Sequence, residues 1–539
     1  MKQRELAGLL CFTWVVTLLY GEMFAFWVPY LWSCSWPHHH HQSSGSEMVE
    51  AGKQNDYAKI AVLADPQLMD RTSIGLAPTS PALKAAQFYT DLHMRRAYLG
   101  SILPFKPDAV IFLGDYFDGG PFLSDEEWKD SLRRLKHIFD LKDQGTHADF
   151  SVYYIPGNHD IGYAILHPHK PQVISRYESE FGARNHKFTV GKVDFIAVDA
   201  QSLDAYPLKS QSSLSWGFVK NVSSDSNSNP RVLLTHIPLY RPDWTNCGPH
   251  RKSPIINQRF RRAIQDQGIL YQNYVTEESS NDLLDLIKPV LVLSGHDHDQ
   301  CAVKHESKLG TVEEITLGTI SWQMGNLFPS FMLMSVRNFS ESDPNLASPQ
   351  EAVLTQLCFL PTQTYIYIWY LALFVVTLFS LLFLPTNNKS LWQQVVAVLS
   401  NCKQILSSNF FGEGRKEKTD DEDCEYEMIW DAEGSMHLVK KSSNRPQARS
   451  TDKDSVERGG ALIRPTARKL NQEAETSTNL DISIEGGFDP TAKITPKPNR
   501  SISSIVIQRL IRTLRMLTFI AAVNVPLYVM LLFKDWNDQ

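Results

Sequence analysis

The sequence has little of what characterises small disulfide-rich, nucleic-acid-binding or repeat proteins. Seven cysteines in 539 residues are too few for a disulfide scaffold. Lys and Arg number 53 against 59 Asp and Glu, a formal net charge of −6, which argues against a basic surface that contacts many phosphates. No internal repeat is evident along the chain. Because the chain exceeds the usual size of one domain, we expect one sizeable folded unit, further segments and no nucleic-acid partner.

Long apolar runs are also few, and they occupy residues 6–32, 364–384 and 516–533. The first follows Lys2 and Arg4, contains Glu22 and ends in Trp and Tyr residues. It is longer than the core of a cleaved signal peptide, so we predict an uncleaved membrane anchor. The second run is uncharged and has the length of a helix that crosses roughly 30 Å of bilayer. The third contains Asn524 and Pro526, and predicts either a span or a re-entrant element.

Basic residues mark one flank of each apolar run. They are Lys2 and Arg4 before the first, Lys389, Lys403, Arg415, Lys416 and Lys418 after the second, and Arg509, Arg512 and Arg515 before the third. Such flanks lie on the cytosolic side of a membrane. We therefore predict a linker at 33–52 and a lumenal domain at 53–360. Residues 385–514 are polar and predict a cytosolic, largely disordered segment.

Some features of the predicted lumenal part stay open at this stage. Four of the seven cysteines would share this compartment and can pair in more than one way; they are Cys34, Cys247, Cys301 and Cys358. Asn221 and Asn338 begin glycosylation sequons here, but Asn388 and Asn499 do so in the predicted cytosolic segment. The sequons therefore do not decide the orientation.

Short apolar runs between residues 53 and 360 keep ending in polar residues that metals and phosphates bind. These runs cover 60–65, 109–115, 151–159, 232–236 and 290–298. Continuous apolar runs indicate buried strands, and reactive groups in α/β sheets gather where such strands end. Helical patterns at 81–99 and 125–139 lie between them, and later runs at 187–198, 314–320 and 330–336 predict further strands. We predict an α/β fold of two packed mixed sheets flanked by helices, with transmembrane helices at both ends.

The strand ends carry carboxylate, amide and imidazole groups. The segments are ADPQ at 64–67, GDYFD at 114–118, GNHD at 157–160, THIPLYR at 235–241 and GHDH at 295–298. Oxygen and imidazole ligands suit manganese, iron or zinc, with manganese the metal that we expect. Two such ions roughly 3.5–4 Å apart can activate a water and clamp a phosphoryl group. One of these segments alone predicts little more than a turn, whereas the five together predict a two-metal phosphoesterase.

The ordered set resembles the calcineurin-like metallophosphoesterases, whose pattern is D-x-H, GDxxD, GNHD/E, a lone His and GHxH. A closer resemblance is to the membrane-bound branch that removes ethanolamine phosphate from the mannose core of glycosylphosphatidylinositol (GPI) anchors. It rests on GNHDIG at 157–162, HIPLYR at 236–241, LVLSGHDHDQC at 291–301, and SW at 321–322 with PSF at 329–331. The resemblance covers the predicted lumenal domain and its flanking spans.

The resemblance implies two sets of metal ligands that share one aspartate. They are Asp65, Gln67, Asp115 and His298 for one ion, and Asp115, Asn158, His236 and His296 for the other. It also implies that His159 contacts the substrate phosphate and protonates the leaving group, with Asp118 and Asp160 fixing ligands or His159. Gln67 departs from the family's usual histidine. An amide oxygen binds transition metals more weakly, so that ion would be held less tightly or would be a harder one.

Several residues have two interpretations. Tyr240 and Arg241 would either shape a phosphate or sugar pocket or form an exposed loop with a salt bridge. Trp322 would stack on a sugar ring or, as we favour, pack as a buried aromatic against a sheet. Residues 38–41 are four histidines beside a Ser/Gly-rich stretch, which favours a linker over a metal site. Glu22 would lie near the membrane interface or contact another span.

The resemblance implies a phosphodiesterase that acts on glycolipid-anchored proteins in the endoplasmic reticulum or Golgi and so supports transport between the two. One alternative is a phosphatase or phosphodiesterase that hydrolyses another lipid-linked or nucleotide phosphoester. The other is a non-catalytic receptor for anchored cargo that keeps the fold.

Overall fold

The computed structural model describes residues 3–38, 57–204, 209–225, 229–261, 269–308, 310–338, 352–383, 426–430, 436–440 and 502–536. The chain divides into two compact units, one of residues 1–407 with 510–539 and the other of residues 408–509. His39 to His41 and most of the predicted linker and cytosolic segment lie outside the described residues.

The described α-helices range in length from 4 to 33 residues. They are α1 Gln3–Leu19, α2 Ala25–Val28, α3 Arg71–Ile74, α4 Pro81–Ala97, α5 Asp125–Ile138, α6 Asn158–Ile161, α7 Pro171–Phe181, α8 Lys209–Ser223, α9 Glu277–Ile287, α10 Gln363–Phe383 and α11 Ile502–Lys534. The π-helical turns Tyr20–Phe24 and Pro29–Ser33 follow α1 and α2, so that the first apolar run is helical throughout.

The strands form two large sheets and two hairpins. They are β1 Tyr57–Leu63, β2 Ala109–Phe112, β3 Ser151–Tyr154, β4 His186–Val190, β5 Val193–Val198, β6 Arg231–Thr235, β7 Arg259–Arg261, β8 Ile269–Gln272, β9 Leu291–Ser294, β10 Cys301–Ser307, β11 Gly310–Thr316, β12 Ser330–Arg337, β13 Val353–Phe359, β14 Tyr426–Trp430 and β15 Met436–Lys440. The hairpin of β14 and β15 belongs to the second unit.

Both large sheets are mixed, which confirms the predicted fold class. The first has the order β13-β12-β1-β2-β3, and the second has the order β10-β11-β9-β6-β5-β4. β1, β2 and β3 are parallel, as are β5, β6, β9 and β11, while β4, β10, β12 and β13 run antiparallel to their neighbours. The central strands are apolar on both faces because each sheet is covered on both sides.

The core lies in three layers. Ile60 and Ile111 of the first sheet meet Val232 and Leu293 of the second in the layer between the sheets. The helices α4 and α5 cover the outer face of the first sheet, and α8 and α9 cover that of the second. Helix α5 begins at a capping box, in which the Ser124 hydroxyl accepts from the Glu127 N–H and the Glu127 carboxylate accepts from the Ser124 N–H.

The predicted runs end later than the strands themselves. Strand β1 ends at Leu63 and β9 at Ser294, so the polar residues of each motif lie in the loop that follows. The run at 187–198 is a hairpin that turns at Gly191, where φ is 60°. A residue with a Cβ is disfavoured in that left-handed region, and glycine is not.

Three helices are long and apolar enough to cross a membrane, at Arg4–Ser33, Gln363–Phe383 and Val506–Lys534. They contact one another. The Trp14 indole donates to the Thr377 hydroxyl at 3.0 Å, and the Thr513 hydroxyl donates to the Leu381 carbonyl at 3.4 Å. The third helix begins at Ile502, well before the apolar run, and continues through Pro526.

Two disulfides resolve the pairing that the sequence leaves open. Cys34, which follows the first membrane helix, pairs with Cys358 of β13, and Cys247 pairs with Cys301 at the start of β10. The first therefore ties the anchor to the edge of the first sheet. Among the described residues Cys11 is a free cysteine.

We predict that these four cysteines are oxidised in protein isolated from cells, because their Cα atoms lie 5.9 Å and 4.4 Å apart, as in natural disulfides. Alkylation in denaturant without reductant, followed by peptide mass spectrometry, should label Cys11 and leave the four unlabelled. Labelling of the four in freshly isolated protein would contradict the prediction.

Candidate metal centre

Five loops converge where the parallel strands of the two sheets end. The loops follow β1, β2, β3, β6 and β9, and they bring together side chains far apart in the sequence. Ligand atoms of Asp115, His236 and His296 lie within 4.8 Å of one another, as do those of Asp65, Asp115 and His298. Asp115 belongs to both groups. This arrangement provides two adjacent cation sites that share one carboxylate.

The ligand loops hold an uncommon backbone conformation. Asp65, Gln67, Asp115, His296 and His298 all have φ between 43° and 71°, the left-handed region that most residues with a Cβ avoid. Hydrogen bonds between the loops after β1 and β2 hold this conformation, since the Gln67 N–H donates to the Asp115 carbonyl at 2.8 Å. The fold therefore sets the directions of these side chains.

Asp160 aligns the GDYFD and GNHD loops. Its buried carboxylate accepts from the N–H groups of Asp115 at 2.8 Å, Tyr116 at 2.7 Å and Gly157 at 2.8 Å. Burial and the nearby Asp115 raise the pKa of Asp160 to about 7. A Cβ on Gly157 would collide with the Asp115 carboxylate, so this position requires glycine.

His236 presents one ring nitrogen to two oxygens. Its Nδ1 donates to the Leu113 carbonyl at 2.8 Å, and its Nε2 lies 3.0 Å from Asp115 Oδ2 and 3.1 Å from Asn158 Oδ1. A lone pair facing two oxygens is repulsive unless a positive charge lies between them. Burial lowers the pKa of His236, but Asp115 and Asp65 outweigh it and raise the pKa to about 9. A metal ion at this point would supply the charge that this proton otherwise provides.

The other two histidines of the centre are neutral. His296 Nε2 donates to the Gln272 carbonyl at 3.1 Å, which leaves its second nitrogen free to bind a cation. Burial, with the charge of His236, lowers the pKa of His296 to about 3. Burial also lowers the pKa of His298, to about 4. Neutral imidazoles are the form that binds metals.

The acidic residues need a cation as well. Burial raises the pKa of Asp65 to about 8, with Asp115 acting in the same direction. Burial also favours a neutral Asp115, but His236 and His159 outweigh it and keep the pKa of that carboxyl low. The Gln67 side-chain oxygen is buried with no hydrogen-bond partner among the described residues. These groups therefore fit two bound divalent ions, with Asp65 and His298 beside Asp115 in one of the two ligand groups.

His159 differs from the ligands because its side chain is 37% exposed. Its backbone N–H donates to Asp115 Oδ1 at 2.8 Å. Its ring Nδ1 contacts the Asp118 carbonyl and lies 3.7 Å from Asp118 Oδ1. Burial lowers the pKa of His159, but Asp115 and Asp118 outweigh it, so the pKa is raised. The other ring nitrogen is free to contact a substrate beside the two cation sites.

A comparison with protein families identifies this arrangement. The family profile described as calcineurin-like phosphoesterase matches residues 58–300, the range that contains every ligand of the centre. These residues form a calcineurin-like metallophosphoesterase domain. At the level of the domain, the prediction of a phosphoester hydrolase is confirmed.

Curated relatives share this domain and part of its flanks. Cell division control protein 1 of Saccharomyces cerevisiae is 31% identical over 56% of this chain and 61% of its own length, so the match covers about three fifths of that relative. Metallophosphoesterase 1 of Danio rerio is 29% identical over 55% of this chain and 76% of its own. Among solved structures, the phosphopantetheinyl hydrolase of Mycobacterium tuberculosis is 13% identical over 49% of this chain and 90% of its own, with a TM-score of 0.26.

Arg241 has a different place in the phosphoesterase domain from the one expected. It is 1% exposed, its Nη2 lies 3.0 Å from Glu314 Oε2, and it donates to the Thr316 hydroxyl at 2.8 Å. Of the two interpretations of Arg241, the exposed loop salt bridge is therefore wrong. Burial raises the pKa of Glu314, but Arg241 and His305 outweigh it and lower the pKa to about 2. Glu314 lies within an apolar strand run, and this position in the sequence was the signal that a buried basic side chain lies nearby.

The same group of buried charges also contacts the GHDH loop at 295–298, a connection that sequence reasoning missed. Asp297 lies between two ligands, and its carboxylate is 2.8 Å from Arg251, 3.8 Å from Arg241 and 3.2 Å from the Tyr274 hydroxyl. These contacts hold the GHDH loop through its third residue, Asp297. The Gln272 carbonyl, which orients His296, was missed for the same reason: only the fold brings β8 to this loop.

Two other candidates lie at the rim of the domain. Tyr240 is half-buried, and its N–H donates to the Ser280 hydroxyl at 2.9 Å. Trp322 is half-buried in the turn before β12, with its ring centre 5.9 Å from that of Tyr367 in α10. The interpretation of Trp322 as an aromatic packed in a sheet is wrong, because it contacts a membrane helix instead.

We predict that Asp115→Asn removes most bound metal, since both cation sites lose the negative charge of the ligand that they share. Wild-type protein should carry about two ions per chain, and the variant less than half as much, as measured by metal analysis after gel filtration. The matched control is Asp130→Asn, at an exposed residue of α5. Equal metal content in all three proteins would refute the centre.

We predict that Arg241→Met is strongly destabilising, because Glu314 stays buried without its arginine partner. The expected loss is about 3–5 kcal/mol, measured as a fall in the thermal unfolding midpoint. Arg133→Met is the control, since Arg133 is 77% exposed in its ion pair with Asp130 and such pairs contribute under about 1 kcal/mol. Similar midpoints for the two variants would show that the buried pair is not needed.

Proposed function

We propose that this protein is a metal-dependent phosphodiesterase that removes ethanolamine phosphate from a mannose of the GPI anchor glycan, and so supports transport of anchored proteins from the endoplasmic reticulum to the Golgi. The observation that carries the phosphodiesterase assignment is the pair of ligand groups that share Asp115, beside the partly exposed His159.

The two divalent ions, manganese by preference, would supply an activated water and stabilise charge on the phosphate oxygens. The chain's own groups do the rest. Asp160 holds the loop of Asp115, and the Gln272 carbonyl holds His296. His159 has its Nδ1 against the Asp118 carbonyl, so its Nε2 is the nitrogen that faces the leaving-group oxygen and gives it a proton.

A membrane-linked substrate is supported by the position of the centre next to α10. The Gln323 side chain donates to the Gln67 carbonyl at 2.5 Å, and the neighbouring Trp322 packs on Tyr367 in the first turns of α10. The Thr362 hydroxyl also donates to the Leu327 carbonyl at 3.0 Å. Gln67, a proposed metal ligand, is therefore only a few contacts from a helix that is apolar enough to cross a membrane.

A lumenal orientation in the endoplasmic reticulum or Golgi is supported by three features. Basic residues flank the opposite ends of the apolar helices. Both disulfides need an oxidising compartment. Asn221 and Asn338, which begin the two sequons of this part of the chain, are both exposed and accessible to glycosylation.

We predict that His159→Asn lowers kcat by about 10²–10⁴-fold while leaving metal content unchanged, because His159 acts on the leaving group. The loss should be smaller for a 4-nitrophenyl phosphodiester, whose leaving group needs no proton. His169→Asn, at an exposed histidine of the same domain, is the control. An equal loss for good and poor leaving groups would exclude the proton-donor role.

The substrate is tested by comparing anchor glycans from cells with and without the gene by mass spectrometry. An additional ethanolamine phosphate in the deficient cells supports the proposal, and unchanged glycans favour another lipid-linked or nucleotide phosphoester. Complementation with Asp115→Asn tests the receptor alternative. A cargo receptor would keep its cellular role in that variant, whereas an enzyme would lose it.

A further inference from the structure

A group of charged residues lies where the membrane helices meet the phosphoesterase domain. Glu22 of the first apolar helix is 2% exposed, and its carboxylate accepts from Arg96 of α4 and from the Tyr370 hydroxyl of α10, at 2.8 Å. Arg96 also donates to the Leu531 carbonyl at 2.6 Å. A charge within an apolar span is costly unless paired, so these contacts explain how Glu22 is tolerated.

A cavity of about 200 Å³ opens beside this group. Its charged lining consists of Glu22 and Asp535 on one hand and Arg96 and Lys534 on the other. Met23 and Trp27 of the first apolar helix contribute an apolar side. The cavity therefore combines two negative charges, two positive charges and an apolar wall at the end of the spans.

The ion pairs at this cavity leave N–H donors of Arg96 and Lys534 available for a further acceptor. Arg96 is 5% exposed, yet its Nε lacks a hydrogen-bond partner among the described residues and lies 3.4 Å from Asp535 Oδ2. Lys534 Nζ lies 2.8 Å from Asp535 Oδ1, and the Lys534 side chain is 43% exposed. Lys534 has three N–H donors, so it can bind a second acceptor without leaving Asp535.

The charge balance selects the ligand class. A simple anion would face two carboxylates and a simple cation two basic groups, whereas a group with both charges can satisfy both pairs. The volume is below the roughly 300–1,000 Å³ of sites that enclose a whole drug-sized ligand. It suits a small headgroup whose attached chains remain outside, along the apolar wall. Trp27 fits this place because tryptophan favours the membrane interface.

We propose that this cavity binds the headgroup of one zwitterionic membrane phospholipid. Its ammonium lies near Glu22 and Asp535, and its phosphate accepts from Lys534 and Arg96. The bound lipid is separate from the substrate of the metal centre. It contacts the first apolar helix, α4 and the end of α11 together, and so helps to join the spans to the domain.

The test uses the full-length protein reconstituted with an equal mixture of phosphatidylethanolamine, phosphatidylcholine and phosphatidylglycerol. After extraction into mild detergent, native mass spectrometry counts the lipids that stay bound. Wild-type protein should retain one zwitterionic lipid. Lys534→Gln should lower its retention by about tenfold, the effect of one lost charge-assisted hydrogen bond.

Two further variants separate a binding site from general effects. Lys308→Gln removes the same charge at an 82% exposed residue that is paired with Asp285, and it should retain lipid as the wild type does. Met23→Trp fills the cavity without changing its charge and should lose the lipid as Lys534→Gln does.

Equal retention by wild type, Lys534→Gln and Met23→Trp overturns the proposal, as does a preference for phosphatidylglycerol over the zwitterionic lipids. Soluble ethanolamine phosphate, added in place of lipid, should not be retained; its retention would indicate a small-molecule site instead. Metal content and hydrolysis of a soluble phosphodiester should be unchanged in Lys534→Gln, so failure here is distinguishable from failure of the proposed function.

Discussion

The metal centre depends on the burial of Asp65 and Asp115 together with His236 and His296, beside the half-buried His298, at the edge where the two sheets end. Two carboxylates so close in a dry site cannot both be ionised without added positive charge. The opposite pKa shifts of Asp65 and Asp115 reflect this conflict. Two divalent ions would supply the positive charge that both carboxylates need. The free energy of metal binding would also offset the strain of the left-handed backbone in the ligand loops.

Buried polar contacts around the centre hold its ligand loops in place. Asp160 gathers backbone N–H groups of two loops, and Glu314 with Arg241 and Asp297 braces a third. Each brace is a buried ionic or hydrogen-bonded group, in which losing one partner costs more than the pair contributes. The precision of the metal centre is thus supported by polar contacts in the second layer around it.

The membrane helices are joined to this centre by covalent and polar contacts. The Cys34–Cys358 disulfide holds the first apolar helix to β13, and Glu22 holds it to Arg96 of the domain. Trp322 meets α10 beside the turn that contacts the Gln67 loop. The candidate metal centre is thereby held near helices that are apolar enough to cross a membrane.

The sequence alone determined the fold class and the identity of the loops, because apolar runs that end in polar motifs are local features. It also identified the apolar helices, although α11 begins at Ile502 because a helix can extend beyond its apolar portion. Only the tertiary structure decided the partners of Arg241, Trp322 and Glu22 and the cysteine pairing. Each of these contacts joins residues far apart in the chain, and burial and distance between such residues are set by packing, which has no local pattern in the sequence.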